Sequence, residues 1–151
     1  EQPVDGDPVV EKVWGLSKLD DLLKRSDYVV VTAPYTPRNE NLIGSAQLSI
    51  MKPSARIIVT SRGRLVEHNA LVSALRTGLI AGAALDTTSQ EPLPEDDELW
   101  GLPNVIITPH IAGNSEKELL DKRTVDIFAE NLRRYLSRQP LINIVDKQLR
   151  Y

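Results

Sequence analysis

The sequence predicts an α/β domain built on a parallel sheet. Short apolar runs, rich in β-branched residues, recur at Tyr28–Val31, Arg56–Thr60, Gly82–Leu85 and Asn104–Thr108. They lack the alternation of half-wet strands, which reads as strands covered on both faces. Segments of helical periodicity lie between them, and strands alternating with helices pair in parallel through crossover connections.

Residues 1–17 read as irregular, with Pro3, Pro8 and Gly15 as breakers. Leu19, Leu22 and Leu23 fall at i, i+3 and i+4 and predict a short helix before the first strand. Between the first and second strands, Leu42, Ala46 and Ile50 at a spacing of four predict a helix over 41–50. After the second, Ala70, Leu71, Ala74 and Leu75 predict a helix over 66–77, with Gly78 as its stop. The third strand is made of smaller residues, Gly82-Ala83-Ala84-Leu85, and the fourth is Asn104–Thr108. The longest helix comes last: Ser115 and Glu118 form a capping box, and Leu120, Ile127, Phe128, Leu132 and Leu136 mark its apolar positions. The tail Pro140-Leu141-Ile142-Asn143-Ile144-Val145 is apolar enough to need a partner surface, in this chain or outside it.

Composition narrows the function classes. A chain of 151 residues with 41% apolar and 26% charged residues has the material for one folded domain and is not of disordered type. A net charge of −3 argues against nucleic acid as the main partner, since phosphate binding wants a basic face. The absence of cysteine excludes disulfides, thiol catalysis and thiolate metal sites, and His68 and His110 alone make no His-rich metal centre. No apolar run approaches the ~18 residues that span a bilayer. Nor does Glu1–Asp7 resemble a secretion signal, so a cytoplasmic protein that engages no membrane is expected.

Polar residues follow every strand: Thr32-Ala33-Pro34, Thr60-Ser61-Arg62-Gly63, Asp86 with Glu91-Pro92 beyond it, and Thr108-Pro109-His110. Parallel strands deliver all of these to one edge of the sheet, where ligands of such folds bind. Arg62 offers a planar fork that matches a carboxylate. His110 exchanges protons near neutral pH. Glu91 beside it would fix the imidazole tautomer and favour its charged form. Ser61 is no nucleophile of the Gly-x-Ser-x-Gly type. Arginine, histidine and a carboxylate without a metal fit proton transfer coupled to cofactor chemistry. Singly, each has an ordinary reading: Arg62 as a surface or capping residue, Asp86 as a helix cap, Glu91 as a turn residue. His68 reads as a solvated helix residue, and Trp14 and Trp100 as packing.

Ser61-Arg62-Gly63 with Leu65-Val66 resembles the arginine motif of the D-isomer-specific 2-hydroxyacid dehydrogenases. Ala84-Leu85-Asp86 with Gln90-Glu91-Pro92-Leu93-Pro94 resembles their glutamate motif, and Thr108-Pro109-His110-Ile111-Ala112-Gly113 their histidine motif. The likeness extends from Leu19-Asp20-Asp21-Leu22-Leu23 to Asn143-Ile144-Val145-Asp146. It implies that Arg62 clamps a 2-oxoacid carboxylate, that His110 is the general acid, and that Glu91 keeps His110 protonated. It further implies that Asp86 faces the nicotinamide carboxamide, and that Pro34, Thr60, Ser61, His110, Ala112 and Gly113 line NAD or NADP. Glyoxylate and hydroxypyruvate are the substrates it points to, and a homodimer the assembly.

The chain also departs from the pattern. No Gly-x-Gly-x-x-Gly turn occurs. The resemblance therefore implies a Rossmann-like domain over 1–113 that lacks its first two strands, and a helix and tail over 114–151 that return to the substrate domain. In the strand order 3-2-1-4-5-6, the lacking strands would separate the first visible strand from the second, so no continuous sheet is expected. A fragment, one half of a nicked enzyme whose amino-terminal half is a separate chain, and a truncated homologue all fit. The last would be a catalytically inactive or corepressor-like dimerisation module. Val59, Arg64 and Thr87-Thr88 stand where the family often has other residues. Arg64 adds charge that favours either a phosphorylated cofactor or a more acidic substrate.

Overall fold

A computed structural model describes residues 10–113 and 117–148, with the side chains of 117–120 excepted. Helix α1 (Leu19–Arg25) leads into strand β1 (Tyr28–Val31), α2 (Ser45–Ser49), β2 (Arg56–Val59), α3 (His68–Arg76), β3 (Gly82–Leu85), β4 (Val105–Ile107) and the long α4 (Lys117–Leu136). One-turn 3-10 helices stand at Leu16–Lys18, Gly63–Leu65 and Glu98–Gly101. No helix among the described residues is long and apolar enough to cross a membrane.

The four strands form one parallel sheet in the order β1-β2-β3-β4. This corrects the expected break between the first and second visible strands. Val29 lies beside Ile57, Ile57 beside Ala83, and Ala83 beside Val105, with no gap in the register. Successive strands are neighbours only on one side of the point where such an order reverses, so the four described strands all lie on one side of it, with α2 and α3 in crossovers that each step one place along the sheet.

The sheet is also one-sided. β1 alternates, with Val29 and Val31 buried and Tyr28 and Val30 exposed, where cover on both faces was expected. The covered face packs Val29, Ile57, Val59 and Leu85 against Leu23 of α1, Leu48 of α2 and Leu71 and Leu75 of α3. Crossovers that all step in one direction are all right-handed, so they all lie over the same face.

The helix predicted over 41–50 shrinks to α2. Asn41 adopts a left-handed φ of 53°, and Ile43 is extended, bridging Val66 in parallel. Val66 is thereby extended too, and α3 starts at His68 rather than Val66. Gly78 ends that helix at a φ of +69°, a conformation that costs glycine little. The Ser115–Glu118 capping box lies outside the described residues. α4 ends at Leu136 as expected, and Asn131 holds the tail, donating to the Ile142 carbonyl at 3.0 Å and accepting from its N–H at 2.8 Å. Only Ile142 of the tail's apolar residues is half-buried by this; Leu141, Ile144 and Val145 stay exposed.

Candidate active site at the carboxyl edge of the sheet

All four strands point the same way, so the segments after them meet at one edge. Asp86 is the anchor. It continues β3, is buried, and accepts three hydrogen bonds. Its Oδ1 takes the Thr108 hydroxyl at 2.6 Å and the Ile111 N–H at 2.9 Å, and its Oδ2 takes the Ala112 N–H at 2.9 Å. The Thr108 hydroxyl does most to hold this carboxyl below its ordinary pKa of 3.8; burial opposes, and the two backbone N–H groups and the nearby His110 assist.

Asp86 thus fixes both flanks of His110. Between them His110 takes a φ of +54°, unusual for a residue with a Cβ, and the turn closes with its N–H on the Thr108 carbonyl at 3.0 Å. Its Nδ1 meets Glu91 Oε2 at 3.0 Å. The other Glu91 oxygen accepts the Thr88 N–H at 3.2 Å, and the Glu91–Pro92 peptide is cis. With Nδ1–H donated to Glu91, Nε2 is the ring nitrogen left for a ligand.

Arg62 caps the 3-10 turn Gly63–Leu65 from an extended conformation. Among the described residues its exposed guanidinium donates only to the Ser61 carbonyl, at 2.7 Å. Gly63 is required here: a Cβ would collide with the carbonyl of Thr88 and the nitrogen of Ser89. The turn that carries Arg62 is therefore pressed against the loop that carries Glu91.

Two adjoining cavities result. The larger, about 510 Å³, is lined by Asp86, Glu91, Leu93, Trp100, Thr108 and His110. The smaller, about 170 Å³, is lined by Tyr35, Arg62, Arg64, Thr88 and Glu91 among others. Glu91 and Thr88 belong to both, so the trio converges on one place, with Arg62 on one side of Glu91 and His110 on the other. Pro34 is exposed at the end of β1, its carbonyl held by Asn39 at 2.8 Å, and Thr60 is half-buried after β2. Ala112 is placed by Asp86, while Gly113 is exposed and a Cβ there would meet nothing.

Two readings from sequence need correction, those of Trp100 and His68. Trp100 does not fill the core; it is 55% exposed, its indole N–H bonds the Pro94 carbonyl at 2.8 Å, and its ring walls the larger cavity. His68 is not simply solvated: its Nε2 meets Asp97 at 3.1 Å, and Asp97 also caps the turn at Leu99. Trp14 lies between Lys12 and Arg25, whose charges stand over its ring at 5.5 and 5.3 Å. Leu93, Trp100 and Tyr35 are the wall residues that sequence reasoning missed. Leu93 and Trp100 flank the glutamate motif, but no periodicity separates a pocket wall from a core position.

A family model described as the NAD binding domain of the D-isomer specific 2-hydroxyacid dehydrogenases matches residues 4–112. The chain belongs to that family. Glyoxylate reductase of Korarchaeum cryptofilum is 40% identical over 131 residues, which are 87% of this chain and 39% of that protein. Glyoxylate/hydroxypyruvate reductase B of Pectobacterium carotovorum is 41% identical over 131 residues, 87% of this chain and 40% of its own. A dehydrogenase of this family from Xanthobacter autotrophicus, solved with NADPH and MES, superposes with a TM-score of 0.82 at 36% identity, covering 91% of this chain and 55% of that one. The chain therefore spans about two fifths of the length of these curated relatives.

The dehydrogenase fold binds a nicotinamide dinucleotide, NAD or NADP, and the residues present fit that group's nicotinamide end. The Ser61 and Thr87 hydroxyls are buried without a hydrogen-bond partner among the described residues, one just past the end of β2 and one just past the end of β3. Both are polar groups at the ligand-binding edge that the protein itself leaves unpaired.

Proposed function

We propose that this chain carries the acid–base half of an enzyme that reduces a small 2-oxoacid, such as glyoxylate or hydroxypyruvate, to a D-2-hydroxyacid. The observation that carries the reading is the Glu91–His110 pair at 3.0 Å, set between Arg62 on one side and an open cavity on the other. The names of the relatives support it. Arg62 binds the substrate carboxylate through its fork and turns the keto group toward His110. A nicotinamide held at this edge by Asp86 and its neighbours would supply the hydride that C2 takes up. His110 Nε2 gives its proton to the keto oxygen as that oxygen gains charge. Glu91 holds the other nitrogen, fixes the ring plane and favours the imidazolium that donates. In the reverse direction, neutral His110 takes the hydroxyl proton. The balance is one hydride and one proton added across C=O. Asp86 positions His110 rather than reacting, and its remaining Oδ2 lone pair is where a carboxamide N–H would bind. Pro34, Thr60, Ser61, Ala112 and Gly113 complete the cofactor's contact edge.

Residues 1–113 form the dinucleotide part in this reading, and 114–151 return to a substrate domain. Val125, Phe128, Leu132 and Tyr135 make an exposed stripe on α4 that fits a second copy, or a separately encoded amino-terminal half. A cytoplasmic location goes with this reading. The test joins the chain to the amino-terminal part of its Korarchaeum relative and follows NADPH and NADH oxidation by glyoxylate. His110→Asn is expected to lower kcat about 10²- to 10⁴-fold while cofactor binding, read by fluorescence titration, stays unchanged. Unchanged turnover would sink the role given to His110.

A further inference from the structure

Arg64 stands two residues after Arg62 on the same 3-10 turn, and that turn is fixed from both sides. The Arg64 carbonyl accepts the Asn41 N–H at 2.8 Å and the Leu65 carbonyl accepts the Ile43 N–H at 3.0 Å. Gly63 abuts the Thr88–Ser89 backbone. Both guanidiniums are exposed and line the cavity of about 170 Å³. Neither has a carboxylate partner among the described residues, whereas Arg25, Arg76, Arg133 and Arg134 each have one. The one acidic group lining this cavity is Glu91, and both its oxygens are engaged, by His110 and by Thr88. The cavity thus holds two uncommitted cations against one committed anion.

A 2-oxoacid with a single carboxylate uses one of those cations. The extra charge has two possible clients, a phosphorylated cofactor or a more acidic substrate, and the geometry separates them. The phosphate that distinguishes NADP sits on the adenosine ribose, at the far end of the dinucleotide from the nicotinamide that His110 serves. A nucleotide also needs a site of roughly 300 Å³ or more, and this cavity is smaller. Resting on the reading above, we propose that the site takes 2-oxoacids bearing a second carboxylate, with Arg62 on the carboxylate next to the keto carbon and Arg64 on the distal one. Tyr35 lines the cavity between β1 and the two arginines and flanks the distal end.

The test uses this chain with its arginine side chains followed by ¹⁵N NMR, titrated with 2-oxobutyrate or 2-oxoglutarate at equal ionic strength. The dicarboxylate is expected to bind about fivefold more tightly, the upper range for an exposed ion pair. Arg64→Gln should abolish that preference without changing affinity for 2-oxobutyrate, and Arg64→Lys should keep most of it. Equal affinities in the unaltered chain, or a preference that survives Arg64→Gln, overturns the proposal while leaving the 2-oxoacid site intact. If neither acid moves the Arg62 signal, the 2-oxoacid site itself fails and this inference with it.

Discussion

The two faces of the sheet carry similar residues and have opposite fates. On one, Val29, Ile57, Val59 and Leu85 are sealed beneath the helices. On the other, the row Val30-Ile58-Ala84-Ile106 lies in register across all four strands, with Val30 55% and Ile106 67% exposed. The difference comes from topology, not composition. Crossovers that all step the same way pile their helices on one side, so this chain's own residues leave the second side bare. Asp86 departs from this. By the alternation of β3 it belongs to the open side with Ala84, yet it is buried, because the Thr108–Ala112 segment folds over it. Along β3 the open side is closed at both ends, by Asn104 over Gly82 and by the candidate site over Asp86.

Substitutions test that contrast. The largest effect is expected at Ile57, which is fully buried. Ile57→Ala should cost about 2–5 kcal/mol, from lost transfer energy and the cavity left behind, read as a fall in the urea midpoint. An intermediate effect is expected at Asp86. Asp86→Asn leaves donors of the His110 loop short of an acceptor and should cost about 1–3 kcal/mol. Because folding lowers this carboxyl's pKa, its contribution is complete above the ordinary value of 3.8 and is lost as pH falls through the lower folded-state value. Stability of the unaltered chain should therefore drop on that acid limb, and the Asn variant should lack this part of the drop. An unchanged acid limb would show that Asp86 does not anchor the loop. The smallest effect is expected at Ile106, where Ile106→Ser should stay within about 0.5 kcal/mol if the face is open in solution. A loss several times larger would mean that something covers this face, and sedimentation would then show whether it is a second copy.

Much of the edge was legible in the sequence. The four strand runs and the stop at Gly78 lie where periodicity and breakers put them, and parallel pairing alone gathered Arg62, Asp86, Glu91 and His110. What failed was what depends on neighbours. An apolar run tells which residues tolerate burial, not whether anything lies above them, so β1 read as covered on both faces. The helix over 41–50 lost its first turn because Ile43 found a bridge partner in Val66, a long-range contact that overrides local spacing. The clamp of Asp86 on residues 108–112 joins segments more than twenty positions apart, and no local pattern encodes it. The strand order misled for a different reason. The order 3-2-1-4-5-6 puts other strands between the first and second visible ones only if these straddle its reversal, and they do not: all four described strands lie side by side.

The contact at Gly63 has a consequence for selectivity. With no room for a side chain between the Arg62 turn and the Thr88–Ser89 backbone, the arginine and the Glu91–His110 pair sit at a fixed gauge. In every 2-oxoacid the carboxylate and the keto oxygen are also a constant distance apart, so one rigid gauge serves the whole class. In the proposed reading, whatever follows the third carbon meets Arg64, Tyr35, Leu93 and Trp100, side chains that line the two cavities. On that same reading the head of the substrate is read by two side chains whose spacing the backbone sets and its tail by rim residues, so this edge can be retuned to a new acid without rebuilding its chemistry.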